Sequence, residues 1–170
     1  CMTGTDRVYE ASKQVHADVY INVQGDEPLI DPNDIKQVIE ASKLAPNRVI
    51  NAMCPVDLEK DFFSSSVPKV VTRPCGQLMY MSRAAIPTTK TLSFASAYKQ
   101  VCIYAFPKKA LIDFASATCK TPLEEIEDIE ILRFLEMNYE VMMIKVSSSS
   151  VAVDYPDDVL RVEAILNANI

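Results

Sequence analysis

The stretch VYINVQGDEP, residues 19–28, decides the fold class. Its first five residues are β-branched or aromatic apart from Asn22, the composition of a strand. Gln24-Gly25-Asp26-Glu27-Pro28 then stops the run abruptly. Asp31-Pro32 opens a helix, a capping residue followed by a proline suited to the first turn. Ile35, Val38, Ile39 and Ala41 repeat along it at helical spacing. A strand feeding a helix through an acidic turn is the building unit of an α/β layered protein.

The alternation continues on both sides. Val8, Ala11 and Val15 predict a helix over 6–16, and residues 48–56 read as a strand. Residues 61–66 read as a polar loop. Strands over 69–73 and 77–82 flank Pro74-Cys75-Gly76, a hairpin signal. Residues 86–97 have no clear period. A strand over 98–106 and a short helix over 108–117 follow. Thr121, Pro122 and Glu124 form a capping box for one long helix over 122–137, with Leu123, Ile126, Ile129 and Leu132 as its buried stripe. A strand over 140–146, a four-serine run, Val151-Ala152-Val153-Asp154 and a last helix over 156–167 complete the chain. The expectation is one α/β domain with an inserted hairpin and ligands gathered at the carboxyl ends of its strands.

Composition narrows the function classes. With 170 residues, 49% of them apolar and 24% charged, the chain can bury a real core and is not disordered. Seventeen basic against 23 acidic side chains exclude a basic nucleic-acid surface. No apolar run is long enough for a bilayer, and the first residues carry no signal-peptide pattern. Five Cys without CxxC spacing argue against a disulfide framework or a zinc site, so a cytoplasmic setting is expected. They read as small core residues rather than nucleophiles. Three Gly leave no glycine-rich phosphate loop. A nucleotide ligand would need a metal or a few placed Arg and Lys.

Asp26 and Asp154 each follow a strand-like run. On parallel neighbouring strands their carboxylates would share one sheet edge and could hold Mg²⁺. Each could equally be a turn or capping residue, Asp154 before Tyr155-Pro156 above all. Arg83, at the end of QLMYMS, could grip a carboxylate or phosphate in bidentate fashion, or be a solvated strand-end charge. Arg7 and Lys69 pose the same choice. Glu127 and Glu130 lie three apart on one helix face, which alone reads as a solvated face.

The segments GTDR (4–7), VQGDEP (23–28), PKVV (68–71), LMYMSR (78–83) with Ile86-Pro87, Ile103-Tyr104, TPLE (121–124) with Ile126-Glu127, and Val153-Asp154 with Pro156 occur together and in order. The chain that carries them resembles the bacterial 3-deoxy-manno-octulosonate cytidylyltransferases, the CMP-Kdo synthetases. The resemblance covers nearly the whole chain. It implies a three-layer nucleotide-diphospho-sugar transferase fold, Rossmann-like, with a mixed sheet. It implies a homodimer and the reaction of CTP with Kdo to give CMP-Kdo and pyrophosphate, the sugar activation of lipopolysaccharide synthesis. By this resemblance Asp26 and Asp154 hold Mg²⁺ and, with Arg83, form the catalytic group. Gln24 and Arg83 contact the sugar acid, and Arg7 lies near phosphates or sugar. Lys69, Gln100, Tyr104, Glu127 and Glu130 complete the expected substrate-binding set.

Three departures from the family pattern stand out. Roughly seventy residues of the first nucleotide-binding half have no counterpart, and about six are missing between Thr3 and Gly4. Residues 1–170 are therefore expected to be a single cytidylyltransferase domain from a longer chain. Gln100 occupies the place of the family's His before its Gly-Ile-Tyr strand. Glu130-Ile131 stands where the family has Glu-Gln facing the sugar. These changes leave open another 2-keto-3-deoxy sugar acid or a phosphonate as acceptor, or a non-catalytic piece of the fold.

Overall fold

The structure is a computed structural model that describes every residue except 2, 148–150, 154–155 and 169–170. Asp154, one of the two expected metal ligands, lies outside the described residues. The chain opens with helix α1 (Gly4–Ser12), strand β1 (Val19–Val23), α2 (Pro32–Leu44) and β2 (Val49–Pro55). A short α3 (Glu59–Phe63) leads to β3 (Lys69–Thr72), β4 (Leu78–Ser82) and the long β5 (Tyr98–Pro107). Then come α4 (Lys108–Ser116), α5 (Pro122–Glu127), α6 (Ile131–Glu136), β6 (Val141–Lys145) and α7 (Pro156–Ala168).

The sheet is mixed, in the order β4-β3-β5-β2-β6, with β1 also pairing β5. β5 is antiparallel to β1, β2 and β3, while β2 and β6 are parallel. Strands β1, β2 and β6 therefore run the same way. Pleating gives each strand two faces. On β2, Val49 and Met53 join the core under α4 and α6, whereas Ile50, Ala52 and Cys54 join the core under α2. β5 splits likewise, with Tyr104 and Phe106 on the first face and Val101, Ile103 and Ala105 on the second. Three layers result. Phe106, Phe114 and Phe134 stack in the first core with ring centroids 5.5 and 4.8 Å apart. Each such buried ring contributes about 1.5–3 kcal/mol.

Local signals account for most element ends. Thr3 and Asp6 form a capping box at α1, and Asp31 accepts from the Asn33 N–H at the start of α2. Gly76 turns the β3–β4 hairpin at φ +87°, a conformation that excludes a Cβ without strain.

Several expectations are corrected. The polar loop over 61–66 begins inside helix α3, whose Phe62 is fully buried against Phe94. Val151–Val153 form no strand. The single helix over 122–137 is two helices, broken at Asp128, which adopts φ +50°. The break rotates α5 away from the core, so Leu123 and Ile126 are exposed while Ile129 and Leu132 are buried. Cys54 is buried and Cys102 half-buried, but Cys1, Cys75 and Cys119 are exposed rather than core residues.

Candidate active site

A cleft of about 680 Å³ opens at the carboxyl edge of β1, β2 and β6. Its walls come from the segments after those strands: Gln24, Asp26 and Glu27 after β1, Lys60, Asp61 and Ser64 after β2, and Val151 and Ala152 after β6. α7 adds Asp158 and Arg161. Four cations, Lys60, Arg83, Lys99 and Arg161, border it. Among the described residues six acids, Asp26, Glu27, Asp61, Asp128, Glu130 and Asp158, border it as well, so the lining is not net basic and an anionic ligand meets individually placed cations.

The floor exists because β5 is only partly paired on one side. β1 covers Ile103–Pro107 and β3 covers Tyr98 and Lys99, leaving residues 100–102 between them. Those backbone groups must find other partners. The Gln100 N–H donates to Pro68 O at 3.0 Å, and Cys102 O accepts from the Gln24 N–H at 3.1 Å. The Cys102 N–H donates to the Glu27 carboxylate at 2.6 Å. Glu27, buried and absent from the expected site, substitutes for a missing strand. Burial and then the Glu27 carboxylate push the Cys102 thiol far above its ordinary value, so it is no thiolate nucleophile.

On the other side of β5 the pairing with β2 slips between Asn51 and Ala52. Asn51, fully buried, repairs the gap. Its Nδ2 donates to Val101 O and Ile103 O at 3.0 Å each, and its Oδ1 accepts from Gln100 Nε2 at 2.9 Å. Gln100 lines the cleft beside Tyr104. Burial, reinforced by Cys102, raises the Tyr104 phenol well above its ordinary value, so it faces the cleft as a neutral hydroxyl.

The helix break supplies the next wall. At Asp128 the carbonyls of Glu127 and Asp128 leave the helical ladder. Arg83 takes both, Nε donating to Glu127 O at 2.5 Å and Nη2 to Asp128 O at 3.0 Å, while Nη1 donates to Ser65 O at 2.8 Å. A guanidinium has five N–H groups. Among the described residues one on each terminal nitrogen of Arg83 remains for a ligand. Beyond the break, Glu130 lines the cleft and caps α1 from outside. Its carboxylate accepts from the Gly4 and Thr5 N–H groups at 2.9 and 2.8 Å and from the Thr5 hydroxyl. A carboxylate suits the positive helix end. Gly4 permits the approach, since a Cβ there would sit 3.2 Å from Gln24 Nε2 and 3.3 Å from Glu130 Oε1.

The expected site residues therefore separate. Gln24, Asp26, Arg83, Gln100, Tyr104 and Glu130 share the cleft. Arg7 lies outside it, exposed on an adjoining depression that shares Gln24 and Asp26. Two are corrected to supporting roles. Lys69 is fully buried, and its ammonium donates to Ser64 O and Arg83 O at 2.6 Å each. Desolvation, with Arg83 nearby, pushes it down to about 8. Glu127 does not line the cleft. It accepts from the Ser82 hydroxyl at 2.6 Å, the Arg83 N–H at 2.9 Å and the Tyr80 hydroxyl at 3.3 Å. Burial would raise its carboxyl, but those hydrogen bonds outweigh burial and hold it below the usual range. Neither Glu127 nor Glu130 belongs to a merely solvated face. Ile131 is buried in the core, 1% exposed, so it replaces no contact at the cleft wall. Asn51, Glu27, Lys60, Lys99 and Arg161 escaped sequence reasoning. An isolated polar residue inside the apolar run VINAMC was the one available signal, and it pointed to Asn51.

Asp26 is exposed at the cleft, and its carboxylate makes no hydrogen bond among the described residues. It suits a hard divalent cation. The Val153 N–H donates to Asp26 O at 2.8 Å, which fastens the segment after β6 to the end of β1. No group of three or more His, Cys, Asp or Glu able to hold a metal occurs among the described residues. A hard divalent cation at Asp26 would fill the rest of its shell with water and other oxygen donors. No helix among the described residues is long and apolar enough to cross a membrane.

Comparison with known proteins gives consistent results. Residues 1–145 match the family model described as cytidylyltransferase. The 3-deoxy-manno-octulosonate cytidylyltransferase of Pelobacter propionicus is 37% identical over 94% of this chain and 67% of its own length. The proteins of the same name from Trichlorobacter lovleyi and Myxococcus xanthus are 38% and 35% identical, over 92% and 99% of this chain and 66% and 68% of their own lengths. The chain thus spans about two thirds of these relatives. A solved CMP:2-keto-3-deoxy-manno-octonic acid synthetase complexed with CTP superposes with a TM-score of 0.90 at 28% identity, over all of this chain and 70% of that one. The 4-diphosphocytidyl-2C-methyl-D-erythritol synthase of Anaerococcus prevotii, at 12% identity and a TM-score of 0.61, shares the fold.

Proposed function

This chain belongs to the cytidylyltransferase family, and from that premise we propose that it transfers the cytidylyl group of CTP to the anomeric hydroxyl of Kdo. The observation that carries the reading is the cleft in which Asp26, Gln24, Gln100, Arg83 and Glu130 meet at the carboxyl edge of the parallel strands. The names of the relatives support the choice of both substrates. In the reaction the sugar oxygen bonds to the α-phosphorus and the bond to the β-phosphate oxygen breaks. Pyrophosphate leaves, and the hydroxyl proton passes to solvent.

The chain's own residues bind and orient. Arg83, pinned by three carbonyls, offers its two remaining N–H groups to the sugar carboxylate, a charge-assisted contact. Gln24 and Gln100 give the acceptor neutral polar contacts. Lys60, Lys99 and Arg161 offset the charge of CTP and sugar acid in a chain whose net charge is -6. Mg²⁺ belongs to the same proposal, held by Asp26 and Asp154. When bound it lowers the pKa of a coordinated hydroxyl and neutralises α-phosphate charge. A homodimer working in the cytoplasm, where sugars for lipopolysaccharide are activated, completes the reading.

The test is pyrophosphate release by the full-length enzyme with CTP, Mg²⁺ and Kdo. Release should require all three and fall by at least about a hundredfold in Asp26→Ala. Undiminished release from that variant would sink the metal role. Release with another 2-keto-3-deoxy sugar acid or a phosphonate, but not with Kdo, would keep the transfer and replace the acceptor.

A further inference from the structure

The polar core of the cleft floor is a chain of two amides, and its direction is forced. Asn51 sits where β2 and β5 lose register, under the face that carries Tyr104. Both hydrogens of its Nδ2 are committed to backbone carbonyls, Val101 O and Ile103 O. Val101 and Ile103 are buried, and the amide cannot turn over without placing its oxygen against their two carbonyl oxygens. Its Oδ1 can then only accept. The Gln100 side chain answers with Nε2 at 2.9 Å. This fixes the second amide in turn: Nε2 is held against the sheet, and Oε1 with one remaining Nε2–H is what Gln100 offers to the cleft.

We infer that Asn51 is a positioning residue and Gln100 a specificity-determining one: the pair presents a neutral, one-way amide edge that reads a hydroxyl of the acceptor. A hydroxyl both donates and accepts, so it can meet Oε1 and the remaining N–H. A second anionic group placed there would face Oε1, an acceptor that repels it. The edge also carries no charge, unlike an imidazole, which titrates near neutrality. The acceptor class it selects is a polyhydroxylated sugar acid rather than a compact phosphonate. This inference rests on the proposed acceptor chemistry and deepens it.

The experiment measures KM and kcat for CTP and for Kdo, together with a panel of Kdo analogues each lacking one hydroxyl. The enzymes are the unaltered protein, Gln100→Met, Asn51→Ser and the double variant. One analogue should be poor for the unaltered enzyme, and Gln100→Met should lose discrimination against that analogue alone. Its KM for Kdo should rise about tenfold, the worth of one well-placed hydrogen bond, while the KM for CTP stays put. Asn51→Ser should raise the KM for Kdo in the same direction and add nothing in the Gln100→Met background, because both changes undo one edge. Independent, multiplying effects would overturn the coupling. A uniform loss across the panel, or a shift in the KM for CTP, would overturn the specificity role. Should Asn51→Ser fail to fold, the Gln100→Met panel decides alone, since that side chain lines the cleft and leaves the carbonyls of β5 with their partner. If the unaltered enzyme is inactive with Kdo but active with another acceptor, the acceptor reading fails, and the pair is tested by the same panel built on that acceptor.

Discussion

Replacing Arg133 by Met should destabilise the protein by about 3–5 kcal/mol, and the structure shows why. Arg133 is fully buried on α6. Its Nε and Nη2 donate to the two oxygens of Glu124 at 2.5 and 2.6 Å, and Glu124 is itself buried. Nη1 donates to Phe114 O at 3.2 Å, and the guanidinium lies 3.7 Å from the centre of the Phe114 ring. Met fills much of the volume but leaves Glu124 as an unpaired charge in a dry interior. The pair spans the break at Asp128, so it also clamps α5 to α6 and holds the carbonyls that Arg83 uses. A domain of this size shifts its melting point by about 2–4 °C per kcal/mol, so a drop of roughly 6–20 °C is expected. The control is Arg133→Met with Glu124→Leu. It removes both charges of the close pair and should recover most of the loss, except about 1 kcal/mol from the capping box that Glu124 forms with Thr121 and the longer pairing of Arg133 with Asp6 at 3.9 Å. Denaturant titration of the two single variants and the double variant measures the cycle. A single-variant loss under about 1 kcal/mol, or a double variant as unstable as the single, would refute the argument.

Two further predictions follow from the site's supports. Burial holds the Lys69 ammonium at about 8, below its ordinary 10.5, so between those values the unfolded chain binds the extra proton. Stability contributed by this group must rise with pH across that window, by at most about 1.4 kcal/mol per pH unit, and Lys69→Met should remove the rise. Parallel pH profiles of denaturant stability for the two proteins would exclude it. Arg83→Lys keeps the charge but cannot meet Ser65, Glu127 and Asp128 carbonyls with one planar fork. Its kcat/KM for the acceptor should fall about tenfold to a hundredfold, and activity equal to the unaltered enzyme would show that only charge matters.

Most strands and helix starts were legible because their signals are local. The run of residues 19–23, Asp31-Pro32, the Thr121 capping box and the turn at Gly76 all act within a few positions of themselves. The long helix over 122–137 was misread for the complementary reason. Its apolar spacing continues across Asp128, and nothing nearby in sequence announces that the carbonyls of 127 and 128 will be claimed by Arg83, some 45 positions away.

The candidate site divides in the same way. The VQGDEP and MYMSR segments pointed to Asp26 and Arg83, which share the cleft. An acid after a strand and an Arg at a strand end read as well as a cap and a solvated charge, and only the resemblance gave them roles. Asn51, Glu27 and the supporting roles of Lys69 and Glu127 were not legible. Asn51 and Glu27 answer backbone groups of β5, and which groups those are depends on how β1, β3 and β2 share its length; Lys69 and Glu127 answer groups of the segments beside β3 and β4. Sequence alone thus determined the layered class and the capped helix starts, and it named several of the polar residues that line the cleft. Only the tertiary structure decided which polar side chains face the cleft and which repair the sheet, because hydrogen-bond satisfaction is settled among segments distant in the chain.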